Sequence, residues 1–525
     1  MPISAAKPNP AVRLLPSLTD VAFLLPVVFL FARMEGARSL LGDGDTGWHV
    51  RAGEWMLQNH RVPRADFFSY TMPGQPWYAW EWLWELSFGW LHRQWGMSAV
   101  VLASILVLCL TFALLFRLAR RCCGNPFLAL GVTALAAAGS SVHWLARPHL
   151  VTLLFVVVSA WILELVDAGR TRLLWTLPPL TALWTNLHGG FLAGLLLVGA
   201  YAAGEVATWL FDADTARRQL ALRRARRLSW TWLACAGATF LNPYTYHLHV
   251  HIYQYLRDPA LWQHISEFQP LQFRGALGAF TEPMFVGAIL AAAWNVYRRR
   301  FAHAFLLFGW AHLAVYSVRN LPLFLVIAAP AVAETLAELM AAVKQARVRN
   351  WVSRTISCFD EVAAEFGSLD RLPRLHVVSA GAVAVLIAAS YAPAPPQLLR
   401  AEYDPSRYPA KALSVLRSPE VHHIFTNDEW GDYLIYNLYP SQKVFIDGRS
   451  DFYGPAFDEK YMDIMQVKYG WEQNLNRYSV DTILLSVDEA LTGALKESHK
   501  WRPVYDDGKA IVFRPAAVQN ARTRS

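Results

Sequence analysis

The stretch "LGDGDTGWHVRAGEW" (Leu41–Trp55) sets two aspartates between glycines, a few residues after an apolar run. Asp43 and Asp45 therefore lie at or just outside a membrane interface. The spacing of the apolar residues that follow predicts an amphipathic helix to about Asn59, with Asp45 as its N-cap. Two interpretations of the aspartates are open: a cap and a turn, or a divalent-cation site or general base beside the membrane.

The composition indicates a polytopic membrane protein. The chain has 525 residues, of which 54% are hydrophobic and 17% charged, and its mean hydropathy is +0.23. These values are too apolar for an ordinary soluble enzyme. The net charge of +8 comes from short basic clusters between apolar runs, which is typical of topology signals, so we expect no nucleic-acid partner.

Apolar stretches predict about eleven membrane helices, the first of which has no small-residue cleavage site. They lie near residues 17–34, 97–117, 126–142, 149–167, 173–187, 190–211, 229–242, 282–297, 302–318, 321–342 and 375–392. Loops on one side carry about twice as many Lys and Arg as loops on the other, which predicts a cytoplasmic N-terminus and an outer C-terminal tail. The expected location is the bacterial inner membrane.

The domain organisation follows from these spans. We predict a transmembrane domain over 1–392, with a long first outer loop of amphipathic helices at 35–96. A periplasmic α/β domain over 400–515 and a disordered tail over 516–525 follow it.

Basic residues recur at the predicted outer ends of the spans. Arg147 lies between two histidines in "HWLARPH", and Arg319 begins a span in "VRNLP". His188 stands between Asn186 and two glycines in the same set of loops. These groups are placed to bind a lipid-linked phosphate, or the arginines only snorkel to ordinary headgroups.

Two further clusters on this face have a mainly structural interpretation. Glu81 and Glu85 share one helix face, and we expect them to need a partner only if they are buried. The three histidines of "HLHVH" (His247 to His251) would share one face of a strand, which is a weak zinc signal.

The C-terminal tail alternates strands and helices, and this predicts a small α/β domain with a mainly parallel sheet. A long helix is expected near 456–476 and a closing hairpin at 506–509. Such sheets bind ligands beyond the carboxyl ends of their strands. Here those ends carry Thr426 to Asp428, Asp447 to Arg449, and Asp488. Asp447 and Arg449 bind an acceptor, or form a structural ion pair.

One motif resembles a known enzyme family. "DTGWHVR" (Asp45–Arg51) resembles the Asp-x-x-x-His-x-Arg motif of the oligosaccharyltransferase catalytic subunit, and "VPRADFFSYTMPGQPW" (Val62–Trp77) is similar to the stretch that follows it there. "EWGDYLI" (Glu429–Ile435) resembles the Trp-Trp-Asp-Tyr-Gly acceptor motif of that family, but Gly431 replaces the second Trp. "NLHGGF", "LNPY", "RNLPLF" and "VFIDGR" also resemble stretches of uncharacterised bacterial membrane proteins. The whole pattern resembles the GT-C superfamily of membrane glycosyltransferases, which implies a polytopic α-helical fold with an outer C-terminal domain.

The resemblance also implies an activity. A sugar would move from a polyprenyl-phosphate donor to a glycan, lipid or protein acceptor on the outer face of the membrane, among membrane lipids. Asp45 would be the catalytic carboxylate or a ligand of Mg or Mn, with Asp43 supporting it, and Trp430 and Asp432 would bind the acceptor. The alternatives are a transporter or flippase for a lipid-linked or polar substrate, and a non-catalytic envelope assembly protein.

Overall fold

A computed structural model describes residues 10–258, 265–275, 277–346, 350–370 and 372–516. The chain divides into two compact units. The helical unit comprises Met1–Leu40, Ser98–Thr245 and Ile265–Ala401, and the mixed unit comprises Leu41–Met97, Tyr246–His264 and Glu402–Ser525. The mixed unit therefore combines the first loop with the C-terminal tail. Residues 517–525 of the tail predicted at 516–525 lie outside the described residues.

The helical unit is built from long apolar helices. Its described α-helices are α1 (Leu18–Arg33), the second part of α3 (Trp82–Cys123), α4 (Pro126–Ser140), α5 (His149–Asp167), α6 (Leu177–Leu187), α7 (Phe191–Phe211), α8 (Thr215–Ala238), α10 (Gly278–Tyr297), α11 (Phe301–Tyr316), α12 (Leu321–Gln345), α13 (Asn350–Asp370) and α14 (Val377–Ser390). Helix α3 is interrupted at Gly96, whose φ of 71° is open to glycine but strained for other residues.

Seven helices among the described residues are long and apolar enough to cross a membrane, by length and composition. They coincide with seven of the predicted spans and confirm a multi-pass membrane protein. The predicted spans at 302–318 and 375–392 are shorter apolar helices. Those at 173–187 and 229–242 fall on a 3-10 turn with α6 and on the end of α8. The total of eleven stays a prediction.

Small residues let these helices approach one another closely. This is common in membrane proteins, where close van der Waals packing replaces the hydrophobic effect as the force between helices. A Cβ added to Gly204 on α7 would lie 2.4 Å from the backbone nitrogen of Ala302, next to the start of α11. Helix α12 is buried along most of its length, and Phe324 and Leu325 are fully enclosed. Helix α12 is therefore a central element of the helical unit.

The mixed unit contains a five-stranded sheet in the order β2-β1-β3-β5-β4. Its strands are β1 (His423–Phe425), β2 (Lys443–Val444), β3 (Thr482–Ser486), β4 (Trp501–Asp506) and β5 (Ala510–Pro515). Strand β1 pairs in parallel with β2 and β3, while β5 is antiparallel to β3 and β4. The small C-terminal sheet and its closing hairpin are thus confirmed. The prediction of a mainly parallel sheet is wrong, because the hairpin of β4 and β5 adds two antiparallel pairs to the two parallel ones.

Helices of the mixed unit surround this sheet. They are α2 (Asp45–Asn59), the first part of α3, α9 (Tyr246–Leu256), α15 (Leu413–Leu416), α16 (Asp428–Leu438), α17 (Ser450–Tyr453), α18 (Pro455–Met465), α19 (Trp471–Arg477) and α20 (Ala490–Glu497). The long helix predicted near 456–476 is two helices. Between them, Val467 and Gly470 have positive φ values of 57° and 87°, which end one helix before the next begins.

The first loop pairs with the tail inside the mixed unit. Tyr70 N donates to Val444 O at 3.1 Å, and Val444 N donates to Phe68 O at 3.1 Å. These bonds extend the sheet edge at β2, which is only two residues long. The stretch Val62–Trp77 is therefore fixed by backbone hydrogen bonds to the C-terminal sheet.

Glycines allow α16 to pack against its neighbours. A Cβ on Gly44 would lie 2.6 Å from Asp432 Cβ, and one on Gly47 would lie 2.8 Å from Tyr436 Cβ. A Cβ on Gly431 would meet Ile446 O at 2.0 Å. Gly431 is the tightest of the three positions, because its nearest backbone atom would lie at 2.0 Å, against 2.5 Å from Glu429 O for Gly44.

We expect Gly431→Ala to destabilise the protein by about 2 kcal/mol, since overpacking of this kind typically costs 1 to 3 kcal/mol. The measurement is thermal unfolding in detergent followed by tryptophan fluorescence. The matched control is Gly493→Ala, because Gly493 lies in α20 with nothing within 4 Å of an added Cβ. Alanine there raises the melting temperature slightly through helix propensity. Equal melting temperatures for the two variants would contradict the packing described.

Candidate functional site

Asp45 is the first residue of α2 and not its cap. Gly44 occupies the N-cap position with φ −73° and ψ −25°, and no side chain caps this end. The predicted capping role is therefore wrong, because the helical backbone already begins at Gly44. The half-buried Asp45 carboxylate accepts a hydrogen bond from Trp48 Nε1 at 3.3 Å. Its charge lies in the first helical turn, where the helix dipole stabilises an anion.

Asp45 pairs with Asp432 of α16. Asp432 is 2% exposed, and its Oδ1 accepts from Gly448 N at 2.8 Å. Burial raises the pKa of Asp432 well above its ordinary value, and the charges of Asp45 and Asp447 raise it further. A side-chain hydrogen bond to Asp45 favours the protonated form of Asp432 as well. A Cβ on Gly448 would lie 2.2 Å from Asp45 Oδ1, so glycine leaves room for the pair.

Asp43 lies near two buried tyrosines. Burial and the charge of Asp43 raise the pKa values of Tyr403 and Tyr408. Tyr403 donates its hydroxyl to Gly44 O at 3.2 Å. The half-buried Asp43 is thus one residue from the backbone contact that positions the start of α2.

The other polar side chains of "DTGWHVR" have separate partners. His49 is 1% exposed, with Nδ1 3.1 Å from Glu85 Oε1 and Nε2 3.6 Å from Glu81 Oε2. Arg51 donates from Nε and Nη2 to Tyr436 O at 2.8 and 2.5 Å. Glu81 and Glu85 are buried and have the partner that burial requires. Asp45 is the carboxylate of the motif, and its partner is another carboxyl group, that of Asp432.

Arg449 occupies a buried cage. Its Nε and Nη2 donate to both carboxylate oxygens of Asp447 at 2.7 Å, and Nη2 also donates to Asp66 Oδ1 at 2.7 Å. Tyr453 donates its hydroxyl to Asp447 Oδ2 at 2.8 Å. The guanidinium lies over the rings of Phe68, Trp77 and Phe452. Although burial lowers the pKa of Arg449, Asp447 and Asp66 raise it well above its ordinary value.

The residues predicted to bind an acceptor are all largely buried. Arg449 is 1% exposed, Asp447 and Asp432 are 2%, and Trp430 is 5%. Trp430 Nε1 donates to Arg407 O at 3.1 Å. Asp447 and Arg449 form the ion pair that the sequence left open as a structural interpretation, and their acceptor role stays a prediction.

In the helical unit, the two predicted phosphate ligands converge on one acid. Arg147 Nη1 lies 3.4 Å from Glu267 Oε1, and Arg319 Nη1 lies 3.8 Å from Glu267 Oε2. Burial alone would raise the pKa of Glu267, but Arg147, His143 and Arg319 lower it to about 2. The sequence analysis missed Glu267, because an acid in a long loop gives no signal of its partners.

His188 lies in the same cluster as a neutral imidazole. Its Nδ1 accepts from Gly190 N at 3.0 Å, and Thr152 Oγ1 lies 2.7 Å away. Burial lowers the pKa of His188 well below its ordinary value, and Arg319 and Arg147 lower it further. Because Nδ1 accepts, Nε2 carries the proton, which makes His188 a neutral donor beside two cations.

The histidines of "HLHVH" lie on helix α9 and not on a strand, so the prediction of a shared strand face is wrong. His251 Nε2 is 2.9 Å from Asp451 Oδ2, and its ring stacks on Tyr78. Across the described ranges, no group of three or more His, Cys, Asp and Glu side chains is arranged to hold a metal ion.

Comparison with known proteins shows the fold of this chain. No family model matches it, and no curated protein matches it. The chain does match solved structures of the oligosaccharyltransferase AglB from the archaeon Archaeoglobus fulgidus. One, tethered to an acceptor peptide with an NVT sequon, matches at TM-score 0.58 and 12% identity over 95% of this chain and 74% of that one.

Two further AglB structures match in the same way. A complex with an inhibitory peptide and a dolichol-phosphate has TM-score 0.54 and 12% identity over 96% of this chain and 74% of that one. A complex with Zn and sulfate has TM-score 0.50 and 11% identity over 95% and 73%. At such low identity these likenesses show the fold alone: the predicted polytopic helical architecture with a small C-terminal α/β region is confirmed.

We expect Glu267→Gln to lower the melting temperature by several degrees at neutral pH, because Arg147 and Arg319 then lose their carboxylate. The pKa of Glu267 is lowered from 4.5 to about 2, so its stabilisation is present above pH 4.5 and is lost as pH falls towards 2. The difference between wild type and variant should therefore shrink over this range, as measured by thermal unfolding.

Glu365→Gln is the control for this prediction, since Glu365 is exposed on α13 of the same unit. It should leave the melting temperature unchanged at every pH. A stability difference for Glu267→Gln that is the same at pH 7 and pH 3 would contradict the ion-pair assignment.

Proposed function

We propose that this protein is a membrane glycosyltransferase. It moves a sugar from a polyprenyl-phosphate-linked donor to an acceptor on the outer face of the bacterial inner membrane, with its N-terminus in the cytoplasm. The observation that carries the proposal is the Asp45–Asp432 pair: a half-buried carboxylate at a helix start, hydrogen-bonded to a buried acid whose pKa is raised. The AglB fold over 95% or more of the chain supports it.

Asp45 is the general base in this proposal. The acceptor atom attacks the anomeric carbon, its proton passes to Asp45, and the bond to the donor phosphate breaks with its electron pair left on the phosphate. The hydrogen bond from Asp432 orients the carboxylate. Trp48 Nε1, at 3.3 Å from Asp45 Oδ1, fixes the same group from α2.

Arg147, Arg319 and His188 bind the donor phosphate in this proposal. Two guanidinium groups and a neutral imidazole donor suit a phosphate with two or three oxygen acceptors. Glu267 now binds both arginines, so a phosphate would replace its carboxylate there. The AglB complex with a dolichol-phosphate supports this class of ligand.

Asp43 and Asp45 could supply two carboxylate ligands to a divalent cation. Asp45 and Asp43 lie two positions apart at the start of α2, and Mg²⁺ uses one or two carboxylates, completing its shell with water and substrate phosphate. Bound there, Mg²⁺ or Mn²⁺ would neutralise negative charge on the leaving phosphate. The AglB complex with Zn and sulfate supports a cation of this charge.

The acceptor is a glycan, lipid or protein in this proposal, bound near Trp430 and Asp432 at the start of α16. The AglB structure tethered to an acceptor peptide supports a macromolecular acceptor. Asp447 and Arg449 stabilise this region, since Arg449 binds Asp447 of the C-terminal tail and Asp66 of the first loop.

A transporter is the second candidate, because ionisable groups pair within the helical unit. Glu164 Oε1 lies 2.9 Å from His303 Nε2 and accepts from the Tyr201 hydroxyl at 2.5 Å. Crossing of a polyprenyl-phosphate hexose in sealed vesicles, without release of undecaprenyl phosphate, would favour transport over transfer.

We expect Asp45→Asn to reduce sugar transfer about a thousandfold, as the loss of a general base typically costs 10² to 10⁴. The assay incubates the protein in nanodiscs with a panel of undecaprenyl-phosphate hexoses and an acceptor membrane extract, and measures released undecaprenyl phosphate. Glu497→Gln, at an exposed site on α20 of the same unit, should keep full activity. Full activity of Asp45→Asn, with unchanged melting temperature, would refute the assignment.

We expect Arg319→Gln to raise the KM for the donor about tenfold with a smaller effect on kcat, since one charge-assisted hydrogen bond to phosphate contributes about 1.5 kcal/mol. The matched control is Arg274→Gln, because Arg274 is exposed in the loop that carries Glu267. An unchanged KM for Arg319→Gln would remove this arginine from the donor site.

A further inference from the structure

A second basic cluster lies at the other end of the helical unit. A cavity of about 660 Å³ opens where α1 begins, α3 ends and α14 begins. The groups that matter for its chemistry are Arg117, Arg120, Arg121, Arg374, Asp370 and Trp161. This volume is within the range of small-molecule binding sites.

The cavity has an excess of positive charge. Asp370 is the one acidic residue that lines it, against four arginines. Arg120 pairs with Asp370 and donates from Nη2 to Gly367 O at 3.0 Å. Arg374 donates to the carbonyls of Val12 and Leu369, which fixes its position without neutralising its charge. Three positive charges therefore remain uncompensated by the lining.

Two of these arginines are available for a ligand. Arg117 and Arg121 are exposed and lie four residues apart on α3, so they share one helix face. Arg117 lies over the Trp161 ring at 5.9 Å. Neither forms an ion pair within the ranges that the structure describes. Arg374 Nε is buried and has no hydrogen-bond partner among those residues.

The ends of apolar helices place this cavity at a membrane interface. Ser17 Oγ lies 3.4 Å from His376 Nδ1, and His376 lies 3.1 Å from Asp20 Oδ1, which joins the starts of α1 and α14. Helix α4 begins at Pro126, next to the end of α3, and runs about 20 Å to Ser140 near the Arg147 cluster. The cavity is thus at the opposite end from the proposed donor-phosphate ligands, where the sequence predicts the cytoplasmic side.

We propose that this cavity binds the phosphate headgroup of an anionic membrane phospholipid. Guanidinium groups recognise phosphate by paired charge-assisted hydrogen bonds, and basic pockets between helix ends are typical sites for such headgroups. Trp161, Leu372 and Pro373 supply apolar surface beside the arginines, which suits the glycerol and acyl region of a lipid. The site is separate from Arg147, and the proposal does not depend on the proposed function.

The test compares the full-length protein with Arg117→Gln/Arg121→Gln by native mass spectrometry in detergent. Phosphatidylglycerol and phosphatidylcholine are titrated separately, and inorganic phosphate is titrated in a third series. We expect the wild type to bind the first phosphatidylglycerol more tightly than phosphatidylcholine. We expect the variant to bind that phosphatidylglycerol about thirtyfold more weakly, at about 1 kcal/mol for each arginine.

Arg226→Gln/Arg227→Gln is the matched control, because both residues are exposed on α8 and the change in charge is the same. It should bind the first phosphatidylglycerol as the wild type does. Equal binding of the two phospholipids by the wild type, or equal losses in the two variants, would overturn the site. Displacement of the lipid by millimolar inorganic phosphate would assign the cavity to a free anion and overturn the lipid proposal. Melting temperatures in detergent confirm that both variants are folded.

Discussion

The mixed unit depends on one buried cation. Arg449 is 1% exposed, and burying a guanidinium without partners would cost several kcal/mol. Asp447 from the tail and Asp66 from the first loop both bind it at 2.7 Å. Since Asp66 also accepts from the backbone nitrogens of Phe68 and Ser69, the acid is itself held in place. Removing Asp447 would leave the guanidinium Nε without its acceptor inside this aromatic cage.

This cage has a consequence for Asp45. Asp447 is followed by Gly448, whose backbone nitrogen binds Asp432, and Asp432 in turn binds Asp45. A chain of contacts therefore runs from a structural ion pair to the carboxylate that we propose as general base. Because Asp432 and Asp447 are both 2% exposed, this chain of contacts orients Asp45 before any substrate binds, which is what general-base catalysis requires. The glycines at 44 and 448 are needed for the same reason, since a side chain at either would separate the two acids.

Much of the architecture was predictable from local patterns. Apolar runs marked the long helices because a membrane helix needs a continuous apolar stretch, and period-two patterns with turn signals marked the C-terminal strands. The convergence of Arg147, Arg319 and His188 was anticipated by their place at the same ends of alternate spans. The cap assigned to Asp45 was wrong, because the choice between Gly44 and Asp45 depends on backbone angles that composition does not reveal. The strand assigned to His247–His251 was wrong because alternation over five residues is too short to exclude a helix.

By itself, the sequence determined the membrane helices, the basic ends of the spans, the small α/β sheet, and the position of Asp45 just after the first helix. These features depend on local composition and periodicity, because the apolar residues of a segment alone decide whether it leaves water. The tertiary structure alone decided which groups are partners: Asp432 for Asp45, Glu267 for Arg147 and Arg319, and Asp66 for Arg449. Asp66 and Arg449 are 383 positions apart. No local pattern encodes such a pair, because each side chain looks like an ordinary surface charge until folding buries it and makes a partner necessary.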